Sequence, residues 1–72
     1  MEANIVYIIE TKVLDKDSRN YVLDRVTYTD YKEALELYSK IHLSSYFKSV
    51  QLVEEITIDE NVTRRVLERK SL

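Results

Sequence analysis

Thr29-Asp30-Tyr31-Lys32-Glu33-Ala34-Leu35-Glu36-Leu37-Tyr38 is the stretch on which the reading of the whole chain turns. Asp30 is of a type whose side chain accepts from the free N–H groups at a helix start. Glu33, three places on, completes the spacing of a capping box, with Asp standing where Ser or Thr is usual. Tyr31, Ala34, Leu35, Tyr38, Ile41 and His42 then recur at helical spacing and define one apolar stripe, with Leu37 at its edge. Lys32, Glu33, Glu36 and Lys40 occupy the other side, and Glu36 to Lys40 is a favourable i,i+4 pair. The spacing predicts a helix from residue 31 that fades across Leu43-Ser44-Ser45.

The segments on either side of this helix read as strands. Upstream, residues 4–14 are rich in β-branched types, and Ile5, Tyr7, Ile9, Thr11 and Val13 form the more continuous apolar face. Asp15-Lys16-Asp17-Ser18-Arg19-Asn20 has the short polar side chains that close turns through local hydrogen bonds. Residues 21–28 return as a second strand with imperfect alternation: Tyr21 and Leu23 fall on one face, Val26 and Tyr28 on the other. A bulge near Asp24-Arg25 would reconcile them. Downstream, residues 47–58 place Val50, Leu52, Glu54, Ile56 and Ile58 on one face and Gln51, Val53, Glu55 and Thr57 on the other. Asp59-Glu60-Asn61 is a turn in which Asn61 can take a left-handed conformation without glycine. Residues 62–69 complete a last strand, and 69–72 are expected to fray.

The expected fold is therefore α+β in the order ββαββ, a single domain over 1–72. A chain that descends strand two, rises through the helix and descends strand three sets those strands parallel. Strand three then pairs antiparallel with strand one, which predicts a four-stranded antiparallel sheet of order 2-1-3-4. One helix packs on one face, and the other face is left for solvent or a partner.

Composition narrows the chemistry. A domain of 72 residues buries only about 60% of the surface its unfolded chain exposes. Such domains usually compensate with disulfides, a metal or self-association. There is no cysteine and only one histidine, so disulfides, thiolate sites and cysteine nucleophiles are excluded and a zinc site lacks ligands. A homodimer is the expected compensation. The absence of glycine removes phosphate-cradling loops and dinucleotide fingerprints. No catalytic residue, cofactor or metal is expected. A net charge of −2 supplies no overall field to draw in nucleic acid or an anionic membrane. Met1-Glu2-Ala3-Asn4 lacks the basic start of a signal peptide, and no apolar run approaches the roughly 20 residues of a membrane span. Freedom from cysteine suits a reducing compartment, so a cytoplasmic location is expected.

The hairpin, the Thr29–Tyr38 stretch with its Glu33-Ala34-Leu35 core, and Val50-Gln51-Leu52-Val53-Glu54 together resemble small ββαβ(β) accessory proteins common in bacteriophages. The resemblance implies a protein that sits in the host cytoplasm and binds and modulates or inhibits a host protein. It transfers no catalytic residue.

His42 has no nucleophile or orienting acid near it in sequence and reads as a helix-end residue. Asp15-Lys16-Asp17 opens like a calcium loop, but Asn20 and Val26 stand where Gly and Glu are required, so it reads as a turn. Glu54 and Glu55 are adjacent in a strand and point to opposite faces. Arg64, Arg65, Arg69 and Lys70 form the one basic patch. It either contacts nucleic acid or pairs with the acidic strand before it, and cross-strand pairing is the plainer reading. Tyr7, Tyr31 and Tyr38 belong to apolar faces. The candidate partner-binding residues are Val6, Ile8, Tyr21 and Val53 on the sheet face away from the helix, together with Tyr28, Leu37 and Tyr46. Exposed aromatics are common interface anchors. The function expected is a non-enzymatic protein-binding module acting as a homodimer, with nucleic-acid binding as the alternative.

Overall fold

The computed structural model describes residues 2–72. Strands β1 (Ala3–Leu14) and β2 (Tyr21–Tyr28) form a hairpin, helix α1 (Tyr31–Lys40) crosses over, and β3 (Phe47–Ile58) and β4 (Asn61–Ser71) form a second hairpin. The strands make one sheet of order β2-β1-β3-β4, in which every neighbouring pair is antiparallel. The α+β, ββαββ expectation is the observed fold.

Asp30 starts α1 as expected. Its backbone is extended and its carboxylate accepts from the N–H of Lys32 at 3.0 Å, while its carbonyl accepts from Ala34 at 3.1 Å. The helix stops at Lys40, earlier than the sequence suggested. Ile41 is extended and caps it by donating its N–H to the Tyr38 carbonyl at 3.2 Å. Ser44 then redirects the chain, its hydroxyl accepting from the N–H groups of Tyr46 and Phe47. This side chain competes for backbone that a longer helix would need. His42 thus lies beyond the helix and is exposed.

Alternation along the strands separates two faces. Ile9, Val50 and Leu52 pack with Ala34 and Tyr38 of α1 in the core, joined by Tyr7, Tyr28, Leu35, Leu37, Ile41, Leu43 and Leu67. A ten-residue helix is about 15 Å long, against about 40 Å for a twelve-residue strand. The helix therefore covers only the middle of the sheet, and Ile5 and Ile58 at one end stay exposed.

Three details depart from expectation. β2 pairs with β1 in unbroken register from Leu14↔Tyr21 to Tyr7↔Tyr28, so there is no bulge at Asp24-Arg25. The mixed alternation instead reflects an edge strand with apolar residues on both faces. Bulges occur at Lys48, where pairing steps from Lys12↔Ser49 to Val13↔Phe47, and at Leu67, where it steps from Leu52↔Glu68 to Val53↔Val66. Residues 69–71, expected to fray, pair with Gln51, Val50 and Ser49, and the N–H of Leu72 donates to the Lys48 carbonyl at 3.0 Å. In the turn between β3 and β4 the left-handed residue is Asp59, at φ 56°, not Asn61. A two-residue hairpin loop places that demand on its first position. The β1–β2 turn closes as read: Asp15 accepts from the Asp17 N–H and the Ser18 hydroxyl.

Candidate protein-binding surface

The face away from α1 was the first candidate for a binding surface, and it is not an open apolar plane. Ile8 and Val53, paired across β1 and β3, are buried although no second layer lies above them. Charged side chains cross this face beside them. Glu10, only 5% exposed, is contacted from both sides: Arg25 Nε lies 2.9 Å from Glu10 Oε2, and Arg64 Nη2 lies 2.7 Å from the same oxygen. Gln51 Nε2 donates to Oε1 at 2.6 Å. Arg64 stands opposite Glu55, and Glu10 stands opposite Gln51. The bond between them therefore runs diagonally across the sheet on the face that carries Val53 and its β4 partner Val66. Burial pushes the Glu10 carboxyl up, but the Gln51 amide and the Arg64 and Arg25 guanidinium groups outweigh it and hold the carboxyl below its ordinary value.

The basic patch of β4 does not act as one surface. Arg64 is bound by Glu10 and approaches Glu55 at 3.6 Å, and Arg65 meets Glu54 at 3.3 Å on the opposite face. The bulge at Leu67 shifts the alternation, so Lys70 falls beside α1. There it donates to the Tyr38 carbonyl at 3.2 Å and sits 4.6 Å above the Tyr38 ring. Burial and the negative charge of Glu68 raise the Tyr38 phenol. Arg69 is left on the far face, opposite Gln51, without an ion pair among the described residues.

The other sequence candidates divide into three groups. Val6 is half-buried opposite Glu55. Tyr21 and Tyr46 lie at one end of the sheet: the Tyr21 hydroxyl donates to the Ser45 carbonyl at 3.2 Å, and the ammonium groups of Lys48 and Lys16 lie 5.1 Å from the Tyr21 and Tyr46 rings. Tyr28 and Leu37 meet at a feature that sequence reasoning missed. This is a cleft of about 330 Å³ between α1 and β2. Ile9 and Thr11 form its floor, Asp24, Val26 and Tyr28 line the β2 side, and Leu37, Lys40, Ile41 and Phe47 line the other. Its signal in the sequence was the second apolar set of β2, Val26 with Tyr28, which the sequence reading attributed to a bulge. Next to the cleft runs the outer edge of β2, which has no strand partner among the described residues; the strand exposes Val22, Leu23 (68%) and Val26 (45%).

Among the described residues no group of three or more His, Asp or Glu is arranged to hold a metal ion, and no helix is long and apolar enough to cross a membrane. Comparison with known proteins returns no matching family model, no matching curated protein and no matching solved structure.

Proposed function

We propose that this chain is a non-enzymatic protein-binding module that engages a partner protein along edge strand β2. The observation that carries the reading is an eight-residue edge strand whose outer side is unpaired among the described residues, lying beside an apolar cleft that α1 leaves uncovered. An edge strand offers unpaired backbone groups, and an adjoining cleft accepts side chains. The resemblance to phage accessory proteins supports a role in which the partner is a host protein that the bound chain modulates or inhibits. The nucleic-acid alternative draws little support, because Arg64, Arg65 and Lys70 are committed to intramolecular partners and lie on two faces.

The test is an affinity capture from host-cell lysate with and without nuclease, repeated with Val26→Lys. The expected result is one protein retained in both nuclease conditions. Recovery that collapses with nuclease would replace this reading with the nucleic-acid one.

A further inference from the structure

Building on that reading, we propose that the β2 cleft takes an internal, extended segment of the partner as a fifth strand, apolar side chains facing α1 and acidic ones facing Arg25. Directly opposed residues of an antiparallel pair share a face. Partner residues opposite Val26 and Tyr28 therefore point to the cleft side, where Leu37, Ile41 and Phe47 wait. Partner residues opposite Leu23 and Arg25 point to the far face of the sheet. By register that face carries Lys12, Arg25, Arg64 and Arg69 against Glu10 and Glu55; Arg25 and Arg64 already meet those carboxylates, and the positive surplus is that of Lys12 and Arg69. The chain as a whole is acidic at −2, so the positive character of this face is local. An acidic side chain gains there and a basic one is repelled.

Two observations narrow the occupant further. The end of α1 bordering the cleft, at Leu37, Lys40 and Ile41, is its C-terminus, which carries partial negative charge and disfavours a free terminal carboxylate. An internal segment fits better than a chain end. A second copy fits poorly. Two β2 strands related by a two-fold axis must pair residues of like parity, because each face pairs with itself. The two registers of fullest overlap then centre on Asp24 or on Arg25 and set like charges directly opposite each other, which is destabilising.

The probes are three blocked heptapeptides: one alternating Val and Glu, one alternating Val and Lys, and the first with alternate amides N-methylated. Each is titrated into the isotope-labelled full chain and followed by backbone amide shifts. The Val/Glu peptide should shift amides of β2 and of Leu37–Ile41, and bind at least tenfold more tightly than either of the others. Val26→Lys should weaken it at least tenfold while leaving the circular dichroism spectrum unchanged and the melting temperature within about 4 °C of wild type. Equal binding of the Val/Lys or N-methylated peptide, or shifts confined to other strands, overturns the proposal. So does a concentration-dependent dimer in sedimentation that protects the β2 amides from exchange, which would make a second copy the occupant. A lysate partner captured equally by wild type and Val26→Lys overturns this inference but leaves the binding-module reading standing. Capture abolished by nuclease overturns both.

Discussion

Leu52 and Val53 are neighbours in β3 and both are fully buried, yet they are buried by different means. Leu52 lies under α1 among Ile9, Ala34, Tyr38 and Val50. Val53 faces the other way, between Ile8 and Val66, on the face that the Arg64–Glu10 ion pair crosses. The first cover is a layer of secondary structure whose value is the apolar area it removes from water. The second side carries long side chains held in place by one carboxylate. Where a small domain has only one helix, a cross-sheet ion cluster can occupy its other face. That side responds to salt and pH in ways the helix side does not.

The two faces should respond differently to truncation. Leu52→Ala should cost about 2–5 kcal/mol, the range for a truncated core leucine, and urea melts in dilute buffer and in about 1 M NaCl should agree on it. If salt changed that cost as much as it changes the cost of losing Arg64, the two faces would not differ in kind. Glu10→Gln should cost about 1–3 kcal/mol, because it removes the negative charge that two guanidinium groups share and turns one acceptor oxygen into a donor. The pH dependence follows from the direction of the Glu10 shift. A carboxyl held below its ordinary value of 4.5 in the fold contributes stability that is fully present above that value. The contribution is lost as pH falls through the folded value. Wild type should therefore lose stability below about pH 4.5 by a component that Glu10→Gln lacks, read from urea melts across that range.

Arg64 separates packing from charge. Arg64→Ala should cost about 1–2 kcal/mol and Arg64→Met distinctly less, because Met restores an apolar stem on that face without the charge. Equal costs would mean that the ion pairs, not the stem, carry the contribution of Arg64. A change away from both faces supplies the reference: Asp59→Gly should stabilise by up to about 1 kcal/mol in the same melts, since Asp59 holds a positive φ that glycine adopts without penalty. The smallest effect is expected for Val26→Lys, within about 0.5 kcal/mol, because Val26 is half-exposed at an edge. A larger loss would place Val26 in the core and remove it from the binding cleft.

Much of the architecture was legible in the sequence because it depends on short periods. Asp30, the stripe from Tyr31 to Tyr38 and the alternation of β1 and β3 are local patterns, and local patterns determine which face of each element is apolar. The candidate site was less legible. Val6, Ile8 and Val53 were correctly placed on the face away from the helix. Nothing in their spacing said that Arg64, eleven residues after Val53, would lie across that face. Tyr28 ends β2 and Leu37 lies at the edge of the helix stripe, and only packing brings them together in one cleft.

Sequence alone determined the element order, the strand order and the absence of cysteine, glycine and thiolate chemistry, because each follows from residue type and near-neighbour spacing. Tertiary structure alone decided where the helix ends, which turn residue turns left-handed, and how β4 divides its basic residues. A bulge at Leu67 sends Lys70 to α1 and Arg69 to the opposite face. Its position is set by pairing with β3, a contact between residues distant in the chain. The same holds for the Glu10 cluster, assembled from four strands, and for the cleft, which exists because a helix of ten residues is too short and too far from β2 to cover the sheet it crosses.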